Sequence, residues 1–113
     1  MALAVDVLVD PASGERPPPG SRVHVEVRDT SVADAPARVT AQADGDVREG
    51  GGALATLELP DADLGPGLTV WAHVDVERTG RVSAGDYVTM QSYPLPSPEL
   101  SPARLAVTVR PVR

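Results

Sequence analysis

The side chains able to do chemistry are few. His24 and His73 are the only histidines, Trp71 is the only tryptophan, and there is no cysteine. Both histidines lie on polar strand faces, opposite Val and Ala, and the alternation turns both toward solvent. If their strands are neighbours, His24, Glu26, Trp71, His73 and Asp75 share one surface. Two imidazoles and a carboxylate there would suit a divalent metal, although no short-range ligand spacing accompanies them. A Ser-His-Asp triad would need one of these exposed histidines to be held by a buried acid, and no G-x-S-x-G elbow is present. Asp44-Gly45-Asp46, with Asp61 and Asp63, resembles a calcium loop in composition, but the EF-hand spacing and its closing Glu are missing. The sequence therefore assigns no catalytic residue, no metal ligand set and no cofactor. It points to a non-enzymatic interaction module whose contact surface centres on Trp71 and His73, with His24, Glu26, Asp75 and Tyr87 around them. Two other functions stay open: a metal-dependent domain on His24, His73, Glu26 and Asp75, and a structural subunit of a larger assembly. For Trp71 the alternation leaves two readings. It is an exposed contact residue, or it is covered by the proline-rich crossover at 94–102.

The elements that must position these groups are strands. The chain has 113 residues, the size of one domain. Hydrophobic residues make up 42% and aromatics only 3%, with no Phe, so the core must be built from Val, Leu and Ala. Period-2 alternation recurs along the chain. Leu3, Val5, Val7 and Val9 form a first strand. Pro17-Pro18-Pro19-Gly20 then closes a stiff stretch in a turn. Val23, Val25 and Val27 alternate with Arg22, His24, Glu26 and Arg28. A weaker strand spans Arg38 to Ala43, and Ala53, Ala55, Leu57 and Leu59 make a fourth. Leu68 to Glu77 is the longest strand and carries Trp71, His73 and Asp75 on its polar face. Asp86 to Tyr93 reads as a sixth strand. After prolines 94, 96, 98 and 102, Leu105, Val107 and Val109 form the last. About seven strands separated by turn chemistry predict an all-β, antiparallel two-sheet sandwich. The twelve prolines fall in connections or at strand ends.

Charge and composition exclude some roles. The net charge is −6, from ten Arg against sixteen acidic residues, which opposes nucleic-acid binding. No apolar run approaches the ~18–20 residues of a membrane helix, so no membrane insertion is expected. As the sequence stands it reads as cytoplasmic; a removed export signal would place it in the cell envelope or outside. Partners are expected to be another protein or further copies of the same chain.

Residues 17–37, PPPGSRVHVEVRDTSVADAPA, carry a family resemblance. A Pro-Pro-Gly turn (Pro18, Pro19, Gly20) leads into an alternating strand. Asp29, Ser31, Ala33, Asp34, Ala35 and Pro36 follow as D-x-S-x-A-D-A-P. This stretch resembles the YbaY/YscW family of small bacterial β-domains, mostly lipoproteins, which includes pilotin-type chaperones of type III secretion. Leu57-Glu58-Leu59-Pro60, the strand from Leu68 and Tyr93-Pro94-Leu95 are similar in order. The family-like core spans about 3–95, with a C-terminal strand at 104–112, in a single domain of 1–113. The resemblance implies a compact β-sandwich with a binding or chaperone-like role. From turn chemistry, Asp29, Ser31, Asp34 and Pro36 are structural: their side chains fix a tight loop with one capped helical turn.

Overall fold

The computed structural model describes residues 3–30, 38–60, 64 and 67–112. Eight strands appear in chain order: β1 (Leu3–Pro11), β2 (Arg22–Asp29), β3 (Arg38–Asp46), β4 (Ala53–Leu59), β5 (Leu68–Asp75), β6 (Tyr87–Thr89), β7 (Tyr93–Pro94) and β8 (Ala103–Pro111). A 3-10 turn, Pro98–Leu100, precedes β8. The protein is all-β, and the alternating valines are the reason. Leu3, Val5, Val7 and Val9 of β1, Val23, Val25 and Val27 of β2, and Val70, Ala72 and Val74 of β5 are all buried. They face Ala55, Leu57 and Leu59 of β4 and Val107 and Val109 of β8 across a core without Phe. Burying each such Val or Leu side chain contributes about 1.5–3 kcal/mol.

The strands do not divide into two sheets. They form one continuous sheet in the order β3-β2-β5-β6-β8-β1-β4, with β7 attached to β5. The two ends of that order, β3 and β4, come back against each other, so the sheet curls into a nearly closed barrel. The two strands approach closely at Gly45, where a Cβ would stand 2.6 Å from the Leu54 carbonyl oxygen. The pairing is also not wholly antiparallel. β1 and β8 run parallel, Val5 opposite Ala103 through Pro11 opposite Val109. That pair joins the N-terminal and C-terminal parts of the chain and lets the sheet curl round on itself, an outcome that side-chain alternation does not encode.

Three element boundaries differ from the sequence expectation. β3 extends to Asp46, with a register shift against β2 between Val27 and Arg28. β5 ends at Asp75, where the chain turns. The sixth strand is two short ones, β6 and β7, separated by the exposed residues Met90, Gln91 and Ser92. The Pro-Pro-Gly turn is present as read. Gly20 sits at φ 87°, and its N–H donates to the Val47 carbonyl at 2.9 Å.

Candidate functional site

The β2–β5 ladder places His24 opposite His73, Glu26 opposite Trp71 and Arg22 opposite Asp75. β3 adds Asp44 opposite His24. Directly opposed residues in an antiparallel pair point to the same side, so these side chains share the outer face of the barrel. The residues singled out from the sequence are thus brought to one side of the sheet, apart from Tyr87. That residue pairs with the buried Val74 and packs on the core, because Asp86 and Val88 take the outward positions of its strand.

The half-exposed part of the face is an ion network. His24 Nδ1 lies 2.7 Å from Asp44 Oδ1, and its Nε2 lies 3.0 Å from Glu26 Oε1. Arg22 Nη2 donates to Asp44 Oδ2 at 2.7 Å, and Arg28 Nε donates to Glu26 Oε2 at 2.8 Å. The hydrogen bond from His24, with help from Arg22, holds the Asp44 carboxyl below its ordinary range despite some burial. Burial pushes Glu26 up, but its bonds to Arg28 and His24 outweigh this and hold it low. Each pair is near the surface and contributes about 0–1 kcal/mol. Both ring nitrogens of His24 are engaged by carboxylates, which leaves neither free for a metal.

Trp71 is half-buried, and what covers it is Arg28. The guanidinium carbon stands 4.0 Å from the ring centroid. His73 lies on its other flank, with centroids 5.8 Å apart. Arg28→Ala is expected to cost about 0.5–1 kcal/mol and to red-shift the emission of this sole tryptophan. A fluorescence-monitored urea titration checks both, and an unshifted spectrum would show that Arg28 does not shield the ring.

The expected exposure of His73 and Asp75 is corrected. They are 5% and 2% exposed, because the connection 76–86 folds back over the outer face. Asp86, which sequence reasoning read only as the start of a strand, organises that connection. It is fully buried. Its Oδ2 accepts from the Ser83 N–H at 3.0 Å and meets His73 Nε2 at 2.8 Å. Its Oδ1 accepts from the Val76 N–H at 3.0 Å. Asp75 does the same for the first half of the connection, accepting from the N–H groups of Thr79 at 3.0 Å and Gly80 at 2.7 Å. Burial pushes the Asp86 carboxyl up, while His73 and the Val76 and Ser83 N–H groups pull it down, and the net position is low. The short Ser83-Ala84-Gly85-Asp86 run was the available signal: a polar turn ending in an acid.

Ser83, His73 and Asp86 supply the residue types of a triad in the wrong wiring. The Ser83 hydroxyl donates to Asp86 Oδ2 at 3.3 Å, the same oxygen that meets His73. A triad needs the hydroxyl on the imidazole and the acid on the opposite ring nitrogen. His73, Asp75 and Asp86 also have potential ligand atoms within 4.8 Å of one another. Their carboxylate oxygens, however, are taken by backbone N–H groups and by His73. The arrangement ties down a loop. His24 and His73 do flank a cavity of about 130 Å³ with Arg22, Asp75 and Gly80, but their nitrogens bond to different carboxylates. Asp29 closes β2, whereas Ser31, Asp34 and Pro36 lie outside the described residues.

No protein-family model matches the chain, and no curated protein matches it. Among solved structures, an alternative pilotin from the type II secretion system of Vibrio cholerae aligns over 100% of this chain and 99% of its own, with a TM-score of 0.74 and 20% sequence identity. The shaft pilin SpaA from Lactobacillus rhamnosus GG aligns over 100% of this chain and 49% of its own, with a TM-score of 0.44 and 15% identity. The second similarity is too loose to carry an argument. The first establishes that this chain has a pilotin-like fold from end to end.

Proposed function

We propose that the chain is a non-enzymatic accessory domain that binds a protein partner in a chaperone-like role, as a single domain of the YbaY/YscW type. The observation that carries this reading is the alignment with the Vibrio cholerae pilotin, which leaves almost no part of either chain unmatched. The use of the reactive side chains supports it. His24 bonds to Asp44 and Glu26, His73 bonds to Asp86, Asp75 accepts from backbone N–H groups, and no nucleophile–base contact is formed among the described residues. The proposed setting is the cell envelope, by the same likeness. No helix is long and apolar enough to cross a membrane among the described residues.

Cross-linking in the source cells, followed by native mass spectrometry of the purified chain, tests the proposal. One protein is expected to come through at fixed stoichiometry and to rebind when the purified components are mixed. A chain that stays strictly monomeric at low and high salt, with nothing cross-linked to it, would overturn the reading.

A further inference from the structure

The barrel has a gap on one side of β8. Along β8, β6 reaches only Val109, Arg110 and Pro111, and β7 pairs with β5 instead. From Ala103 to Thr108, therefore, β8 has β1 on one side and no strand on the other. The direction of the backbone groups follows from two bonds. Ala12 N–H donates to the Val109 carbonyl, so the odd-numbered residues of β8 turn their backbone toward β1. Thr108 N–H donates instead to the Tyr93 hydroxyl at 2.9 Å, so the even-numbered residues face the gap. Tyr93 is a substitute there for a missing strand. Further along the same edge, the N–H and C=O groups of Arg104 and Ala106 have no protein partner among the described residues. Both residues are exposed.

An unpaired edge inside an otherwise curled sheet is a template for an added strand. Two further features say what kind of strand. Met90 and Leu100, at 59% and 65%, are the most exposed large apolar side chains described. They bracket the edge. Met90 lines a depression of about 120 Å³ with Tyr93, Thr108 and Arg110, and Met90 and Arg110 also line a groove of about 440 Å³. Leu100 ends the 3-10 turn just before β8. The side chains of Arg104 and Arg110 stand on the outer face, about 20 Å apart at ~3.3 Å per residue. The ion pairs of the described residues engage Arg22, Arg28 and Arg78, but neither of these two. Asp6 stands opposite Arg104 across the β1–β8 pair, where it accepts from the Thr56 hydroxyl, and Glu15 lines the groove beside Arg110, but neither arginine is in an ion pair among the described residues, so both guanidiniums can meet a partner's carboxylates.

We propose that the β8 edge between Arg104 and Thr108 receives an extended, acidic segment of a protein partner as an added strand. Backbone groups of Arg104 and Ala106 pair with it, apolar residues rest on Met90 and Leu100, and carboxylates face Arg104 and Arg110. This rests on the reading of the chain as a partner-binding domain and says where and how it binds.

The test is an amide-shift NMR titration of the full chain with a blocked nonapeptide alternating Val and Glu, and with its Val/Lys counterpart. The Val/Glu peptide is expected to shift the amides of Arg104, Ala106 and Met90 and to bind at least tenfold more tightly than the Val/Lys peptide. Ala106→Pro removes an edge N–H without touching the β1 ladder and is expected to weaken binding tenfold or more. Should that variant misfold, Arg104→Glu combined with Arg110→Glu is expected to reverse the preference toward Val/Lys. Shifts confined to another surface, equal binding by both peptides or an unreversed preference would overturn the proposal. A concentration-dependent dimer through β8 would do so as well, by making a second copy the occupant. A natural partner that binds the Ala106→Pro chain undiminished overturns the edge alone and leaves the accessory-domain reading standing.

Discussion

Replacing Asp86 with alanine is expected to lower the unfolding free energy by about 3–5 kcal/mol at neutral pH, because each hydrogen-bonding group it leaves without a partner costs about 1–3 kcal/mol. Asp86 is fully buried and is the shared acceptor for the Val76 and Ser83 N–H groups, the Ser83 hydroxyl and the His73 ring. Its loss strands two part-buried N–H groups, the Ser83 hydroxyl and an imidazole that is 5% exposed. The pH dependence gives the sign. The folded carboxyl sits below its ordinary value, so its contribution is complete above the unfolded carboxylate range, near pH 4, and is lost as the pH falls through the folded value. The gap between wild type and Asp86→Ala is therefore expected to be widest at neutral pH and to narrow in acid. Urea unfolding at pH 7, 5 and 3 measures it, and a gap independent of pH would refute the role given to this carboxylate.

Gly45→Ala is expected to cost about 1–3 kcal/mol, an overpacking penalty. The added Cβ would meet the Leu54 carbonyl oxygen at 2.6 Å, and a backbone atom in a paired strand cannot swing aside. One of the two sheet ends must move outward, so hydrogen exchange in β3 and β4 is expected to accelerate ahead of the rest of the barrel. Gly50→Ala is the comparison. Nothing lies within 4 Å of its Cβ position, so only the strain of its φ of 95° is added. Exchange in β3 and β4 no faster in Gly45→Ala than in Gly50→Ala would mean that the β3–β4 contact does not limit the closure.

The strands were legible because burial follows alternation almost residue by residue. The valines at 23, 25 and 27 read as inward and are buried. The alignment of His24 with His73 and of Glu26 with Trp71 across β2 and β5 was legible too, once the two strands were supposed to be neighbours. What was hidden is long-range. Nothing local says that Leu3–Pro11 pairs in parallel with Ala103–Pro111, or that Gly45 must make room for Leu54. His73 and Asp75 were read as exposed because alternation sees which side of the sheet a residue takes, not which loop folds over it. The same limit hid Asp86, whose importance lies in the loop it holds. Tyr87 was misplaced for a different reason. One residue of phase separates it from Asp86 and Val88, and in a three-residue strand no repeating pattern fixes that phase.

The parallel β1–β8 pair also governs how this protein can be held and rewired. Leu3 and Pro111 belong to adjacent strands, yet they lie at opposite ends of them. A tether attached ahead of Leu3 grips the barrel at the end away from the groove beside Ala12, Arg110 and Pro111, and leaves that mouth pointing outward. A circular permutant cannot be closed with a hairpin-sized loop. Its linker must travel back along the barrel for about 30 Å, roughly nine extended residues, without lying across the gap beside β8.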